Sequence, residues 1–319
     1  MAICFVFPGQ GSQDVGMGRD LAAAFPAARE VFDEVDEALG QKLSALMWDG
    51  PKETLTLTEN AQPALMAVSM AVMRVLEREK GFRLADKVKY VAGHSLGEYS
   101  ALAAAGAFSL ADTARLLKLR GQAMQKAVPV GEGAMSALLG VGLDVARQVA
   151  EAAAAAGKEQ GDVCQVANDN EPTQVVLSGH KRALDRVAEV GKALGVRRAV
   201  ALPVSAPFHC SLMQPAAEAM AEALARVMIE APVVPVIANV LASPITDPAE
   251  IRRRLVEQVT GTVRWRECTL YMAADGITDI YEIGAGKVLA GIVKRIDKSF
   301  NASSIGTPAD IDAALAALI

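Results

Sequence analysis

Hydrophobic and polar positions along the chain switch between a spacing of two and a spacing of three to four, which predicts a layered α/β fold. A short apolar run, Ile3 to Phe7, predicts a strand that stops at the Gly-rich turn Pro8-Gly9-Gln10-Gly11-Ser12-Gln13. Amphipathic spacing predicts helices over 22–39 and 63–79, the second opening on Pro63 because a first-turn proline forfeits no helical hydrogen bond. From Ala64 to Met73 that helix is apolar on nearly every face, so full burial is expected. A strand over 87–92 and a helix from Leu96 continue the alternation of a parallel sheet. Between Pro129 and Pro203 the rhythm changes. Strands over 135–141, 163–167, 174–177 and 198–202, with helices over 145–156 and 181–194, make two β-α-β units of the ferredoxin-like kind. The earlier pattern then resumes with a helix over 215–229, strands over 234–239 and 277–282, and a helix from Lys287. The expected fold class is α/β, with a parallel-sheet core of residues 1–128 and 204–319 and an inserted α+β subdomain of residues 129–203.

Composition narrows the class further. Of 319 residues, 52 % are hydrophobic and 22 % charged, with no low-complexity tract, so the chain is expected to fold. Aromatics are only 4 %, leaving Ala, Val, Leu and Met to fill the core. Lys+Arg 32 against Asp+Glu 37 gives 32 − 37 = −5, and without a basic block this argues against a nucleic-acid partner. Cys4, Cys164, Cys210 and Cys268 are scattered, with no CxxC pair and no histidine placed to complete a zinc site, which points to a reducing compartment and no metal. The first eight residues lack the basic start of a signal peptide. The uncharged stretch 199–217 is broken by Pro203, Pro207 and Pro215 and does not read as a membrane span. A cytoplasmic protein without a membrane partner is expected.

Candidate chemistry begins at Gly93-His94-Ser95-Leu96-Gly97, a GxSxG pattern between a strand and a helix. Such a nucleophile elbow holds a serine hydroxyl outward at a helix N-terminus, where backbone N–H groups can stabilise an oxyanion. A serine nucleophile needs a base, and the chain has three histidines. His94 adjoins Ser95 and would point elsewhere at a sharp elbow; His180 opens a helix and reads as a polar cap. Elimination favours His209, in the proline-fixed run Pro207-Phe208-His209-Cys210, with a core imidazole as the alternative. Gln10 has glycine on each side and sits at a strand's carboxyl end, where loops of a parallel sheet line one crevice. Phosphate-loop patterns fail: Asp14 stands where Gly9-x-Gly11 needs a third glycine, and Val288 follows Gly284-Ala285-Gly286-Lys287 in place of a hydroxyl residue. Arg120 lies on a Leu-rich helix as either a solvated cation or, if turned into the crevice, a fork for a carboxylate. Cys210 reads as a small buried residue. Asn168 and Asn170 read as groups orienting the mouth between domains or as turn formers.

Taken in order, Phe7-Pro8-Gly9-Gln10-Gly11-Ser12-Gln13, Gly93-His94-Ser95-Leu96-Gly97-Glu98-Tyr99, the Arg120 helix, Pro207-Phe208-His209 and Gly284-Ala285-Gly286-Lys287-Val288-Leu289 resemble the bacterial malonyl-CoA:acyl carrier protein transacylases of dissociated fatty acid synthesis. The resemblance runs from Ile3 to about Arg295 and implies an α/β-hydrolase-like core with a ferredoxin-like insert. It implies that Ser95 is the nucleophile and His209 its base, that backbone N–H groups of Gln10 and Leu96 form an oxyanion hole, and that Arg120 grips the malonyl carboxylate. Gln258 matches a position whose main-chain carbonyl orients the imidazole, so no acid is required. His94, Asn168 and Asn170 would support the site from behind. Ala285 departs from the family, which usually has proline between these glycines. Malonyl-CoA as substrate, no permanently bound cofactor, acyl carrier protein as partner and a monomeric state follow from the same resemblance; the rival is a related acyltransferase loading a polyketide carrier or using another acyl-CoA. Because such carriers are acidic and this chain is −5, a local basic patch is expected, with Lys181-Arg182, Arg197-Arg198, Arg252-Arg253-Arg254 and Lys294-Arg295 as candidates.

Overall fold

Ten strands divide between two sheets in the computed structural model, which describes residues 2–204 and 206–318. They are β1 (Ile3–Phe7), β2 (Val88–Gly93), β3 (Gly133–Leu139), β4 (Cys164–Glu171), β5 (Gln174–His180), β6 (Arg198–Ala201), β7 (Val236–Ala238), β8 (Ser243–Ile245), β9 (Asp279–Ile283) and β10 (Asn301–Ile305). The large sheet has the order β10-β9-β1-β2-β7-β8 and is parallel except for the β7–β8 edge. Every residue of β1 is buried because both faces of the sheet are covered. Phe5 and Phe7 enter the larger core beneath the Thr58–Arg78 and Leu110–Ala127 helices, whereas Cys4 and Val6 face the Trp265–Ala274 and Val288–Ile296 helices.

The small sheet has the order β4-β5-β3-β6, all antiparallel, and carries the Leu143–Ala155 and Lys181–Ala193 helices on one face. That β-α-β-β-α-β order with this pairing is the ferredoxin-like arrangement. Its link to the large sheet is built from β4, which outruns the strand expected over 163–167. Asp169 N–H donates to Val263 O and Val263 N–H to Ala167 O, both at 2.9 Å, so β4 also pairs with the chain just beyond the Pro248–Thr260 helix. Arg266 clasps the buried Asp169 carboxylate at 2.8 Å, and Arg295 pairs with Glu171.

Three further expectations are corrected. Pro63 lies inside a helix that starts at Thr58, since a proline one turn in removes only a single N–H from the ladder. The helix expected over 22–39 is two helices, Arg19–Ala24 and Pro26–Leu39, divided where Pro26 restarts the ladder. His180 stands at a helix N-cap without capping it; its Nδ1 accepts the Val163 N–H at 3.0 Å. Polar patterning hid β10, an edge strand in which only Ala302 and Ile305 are buried.

Candidate active site

The elbow is held in shape by contacts that only glycine permits. A Cβ on Gly93 would lie 1.9 Å from the Gly97 carbonyl, and one on Gly97 would lie 2.2 Å from Phe7 O. Between them Ser95 takes a left-handed φ of 54°, and the Gly97–Ala104 helix starts beyond Leu96. Asn239, the residue after β7, pins this strained turn: its Oδ1 accepts the Ser95 N–H at 2.8 Å and its Nδ2 donates to Gly93 O at 2.7 Å. A non-glycine residue at such a φ costs roughly 1–3 kcal/mol, which these buried bonds offset.

His209 also has a positive φ, 57°, and its ring reaches the serine across 114 residues of sequence. Ser95 Oγ lies 2.7 Å from His209 Nε2, and Gln258 O lies 2.9 Å from His209 Nδ1. A carbonyl only accepts, so Nδ1 carries the proton and Nε2 presents its lone pair to the serine hydroxyl. Burial, with the nearby Arg120 charge second, pushes the His209 pKa down to about 3. The imidazole is therefore neutral at pH 7, the form able to accept a proton.

Arg120 turns inward from the middle of the Leu110–Ala127 helix and is only 1 % exposed. Its Nη1 donates to Gln62 Oε1 and its Nη2 to Gln258 Oε1, both at 2.9 Å, and Nη2 also reaches Ser95 Oγ at 3.2 Å. The Tyr99 ring flanks the guanidinium at 5.7 Å. Among the described residues no carboxylate forms an ion pair with it, so a buried cation waits without a contacting counter-ion. The solvated alternative for Arg120 is thereby corrected: Leu116, Leu117 and Met124 share its buried face.

These groups open on one cavity of about 420 Å³. Ser95, His209, Arg120, Gln10 and Leu96 supply polar atoms, and Met124, Met135, Leu202, Val204 and Phe208 form apolar walls. The Gln10 side chain donates to Thr58 Oγ1 at 3.3 Å, while the backbone N–H groups of Gln10 and Leu96 bond to nothing among the described residues. His94 is turned away from Ser95, its Nε2 2.9 Å from Asn170 Oδ1 and its ring against Trp265. Asn168 and Asn170 are buried within β4, which removes the turn-former alternative, and Asn168 lines the cavity. Cys210 is buried, donating its thiol to Pro207 O.

Sequence reasoning missed Gln62, Glu98 and Asn239. Glu98 had a signal, since it is the one charged residue in the otherwise uncharged segment Gly97-Glu98-Tyr99-Ser100-Ala101-Leu102-Ala103-Ala104. Most of the basic candidates are engaged internally: Lys181 with Asp185, Arg182 with Asp162, Arg253 and Arg254 with Glu250, Arg295 with Glu171. Arg252 donates to Leu224 O, and Arg197, Arg198 and Lys294 form no ion pair among the described residues. No helix among those residues is long and apolar enough to cross a membrane.

An outward hydroxyl hydrogen-bonded to a neutral imidazole, beside two free N–H donors, is equipped to take an acyl group and pass it on. The acyl transferase domain family matches residues 4–309. A malonyl CoA-acyl carrier protein transacylase of Escherichia coli strain K12 is 46 % identical over 312 residues, covering 98 % of both chains. The crystal structure of an acyl-carrier-protein-S-malonyltransferase from Bartonella henselae is 55 % identical, with a TM-score of 0.96 over 100 % of this chain and 99 % of that one. A malonyl-transacylase in complex with a type II PKS acyl-carrier protein is 41 % identical, with a TM-score of 0.94 over 99 % of this chain and 100 % of that one. The chain belongs to the acyl transferase family and, within it, to the malonyl CoA-acyl carrier protein transacylases.

Proposed function

We propose that this protein moves a malonyl group from malonyl-CoA to the phosphopantetheine thiol of an acyl carrier protein, supplying fatty acid synthesis through an ester on Ser95. One observation carries the reading: a buried guanidinium lacking a carboxylate partner stands 3.2 Å from the hydroxyl that bonds His209. A malonyl group is a thioester carbonyl with a carboxylate one carbon away, and it answers both features.

In the first half-reaction Ser95 Oγ attacks the thioester carbonyl and its proton passes to His209 Nε2. The tetrahedral oxyanion accepts from the free N–H groups of Gln10 and Leu96. The C–S bond then breaks, and the departing sulfur takes the proton from Nε2 as CoA thiol. In the second half the carrier thiol gives its proton to Nε2 and attacks the ester; the C–O bond breaks and Ser95 Oγ regains the proton. The Gln258 carbonyl holds the ring tautomer throughout, so a neutral acceptor does the work an acid does in a triad. Both thioesters are of similar energy, so the protein supplies charge stabilisation and positioning, the latter worth about 7–11 kcal/mol for well-oriented reactants.

The reading extends to organisation. The core of residues 1–128 and 204–319 supplies the reacting groups and the small subdomain of residues 129–203 walls the cleft, in a monomer acting in the cytoplasm with no permanent cofactor. His94 and Asn170 support the elbow from behind. The likeness to a transacylase bound to a polyketide carrier favours one second reading, the same chemistry loading such a carrier. Intact-mass analysis after brief exposure to malonyl-CoA tests the proposal. One malonyl adduct is expected, absent in Ser95→Ala and discharged by holo carrier protein; free malonate without an adduct, or an unchanged adduct in Ser95→Ala, sinks it. Parallel discharge by fatty-acid and polyketide carriers separates the two readings.

A further inference from the structure

None of the acyl-transfer steps uses Glu98, a carboxylate that is 1 % exposed in the first turn of the elbow helix. Its Oε2 accepts two hydrogen bonds at 3.0 Å, from the Asn239 N–H and from Gln258 Nε2. The other end of the same Gln258 amide, Oε1, accepts from Arg120 Nη2 at 2.9 Å. Only an acceptor fits beside a guanidinium and only a donor beside a carboxylate, so Glu98 and Arg120 together fix which way the amide points. The result is an ion pair relayed through one amide. Arg120 and Glu98 act on each other electrostatically without touching.

We propose that Glu98 is the resident counter-charge of Arg120, and that it takes one proton from solvent when the malonyl carboxylate docks on the Arg120 fork and releases it when the malonyl group departs. This rests on the reading that Arg120 holds that carboxylate. Two carboxylates around one buried guanidinium leave one negative charge uncompensated, and the cheaper remedy in a low dielectric is protonation. The substrate carboxylate bonds the cation directly, so Glu98 is the one to neutralise. Burial already brings its carboxyl up to about 7 before any ligand arrives, against the pull of its bonds to Asn239 and Gln258 and of the Arg120 charge. The other titratable groups facing Glu98 are the Cys268 thiol, from the Trp265–Ala274 helix, and the Tyr99 phenol on its own helix. Burial pushes both upward, so they stay neutral and offer no competing charge. Glu98 thus acts through Gln258 and Arg120 as a positioning residue.

Calorimetry on the Ser95→Ala protein, which binds but cannot be acylated, reads the proton directly. Malonyl-CoA is titrated at pH 8 in two buffers of different ionisation enthalpy, with acetyl-CoA as the control that cancels the CoA phosphates. With a carboxyl at about 7, roughly nine-tenths of the free sites are ionised at pH 8, so most of one proton is taken up per malonyl-CoA bound. No malonyl-specific uptake is expected once Glu98→Gln is added. That variant keeps an oxygen for Asn239 and Gln258 while removing the charge, so it binds malonyl-CoA up to about tenfold more tightly at pH 8 than its parent, with the advantage fading by pH 6. Malonyl-CoA binding without excess proton uptake, or equal uptake in Glu98→Gln, overturns the inference about Glu98. An Arg120→Ala change that leaves the malonyl-to-acetyl affinity ratio untouched overturns the parent reading and the inference with it.

Discussion

Replacing Arg120 by alanine separates recognition of the carboxylate from acyl transfer itself. The guanidinium offers Nη1 and Nη2 to the cavity, now occupied by Gln62, Gln258 and Ser95 Oγ. A docked carboxylate makes two charge-assisted bonds, each worth about 1.5–3 kcal/mol, so the variant loses about 3–6 kcal/mol of differential binding. At 1.36 kcal/mol per decade this is a fall of about 10²–10⁴ in kcat/KM for malonyl-CoA. Stability moves less. The orphaned side-chain oxygens of Gln62 and Gln258 each cost about 1–3 kcal/mol, but the desolvation of a buried cation without a contacting counter-ion disappears with them. The assay is the ratio of malonyl to acetyl transfer to one carrier protein, in which damage common to both substrates cancels. Acetyl transfer should fall by no more than about tenfold, the scale of one lost bond to Ser95 Oγ. Equal losses for the two acyl groups would refute the carboxylate role, and Arg120→Lys, which keeps charge without the fork, should fall between wild type and alanine.

Because His209 is already neutral, with a pKa pushed down to about 3, acylation by acetyl-CoA should show no acid limb from this ring between pH 5 and 8; an inflection near 6.5 that vanishes in His209→Ala would contradict the depressed pKa. The linkage has a definite sign: unfolded histidine binds a proton near 6.5 and the folded ring does not, so its share of stability falls as pH drops from about 6.5 toward 3, and thermal melts of His209→Gln should lack that component. Gly97→Ala places a methyl 2.2 Å from Phe7 O and should lower the melting temperature and abolish adduct formation together, whereas Gly11→Ala, with no heavy atom within 4 Å of the new carbon, should suffer only the cost of its positive φ. Reversing Arg197 and Arg198 should slow discharge to carrier protein while leaving acylation by malonyl-CoA unchanged; equal discharge rates would remove this pair as a docking patch.

The parts of the fold that were legible in sequence are those with strong local signals. Ile3–Phe7 is a continuous apolar run because both sheet faces are covered, Val88–Gly93 is apolar apart from the exposed Lys89, and the elbow announces itself because two glycines are sterically compulsory. The edge strands β8 and β10 carry little hydrophobic pattern, so periodicity passed over them. At the site, the geometry gathers Ser95, His209, Arg120 and Gln258, which motif order had singled out. The inward turn of Arg120 was beyond local reading, since a helix face shows its partner only in three dimensions. Gln62, Glu98 and Asn239 escaped for the same reason. Each is an isolated polar residue whose side-chain hydrogen bonds reach partners 58 or more residues away, apart from the weaker contact between Asn239 and Gln258.

The same network bears on why such a site transfers an acyl group without surrendering it to water. His209 would activate a water as readily as a thiol, so selectivity cannot come from the base and must come from occupancy of the cavity. Its apolar walls are Met124, Met135, Leu202, Val204 and Phe208, none of which holds a water by a side-chain hydrogen bond. Beside Ser95 the polar atoms are the Arg120 fork, the two free N–H groups and the His209 lone pair, with Gln13, Lys52, Thr56, Gln62, His94 and Asn168 also lining the cavity. In the acyl-enzyme of the proposed mechanism the malonyl carboxylate would take the fork and the ester carbonyl would face the N–H pair, leaving the imidazole as the open acceptor beside the ester. A water held against the ester would have the imidazole as its acceptor and apolar wall on its other sides, where a buried water ordinarily makes about three hydrogen bonds. A thiol on a long, thin arm needs only that one acceptor, and brings its own apolar chain to fill the rest of the cleft.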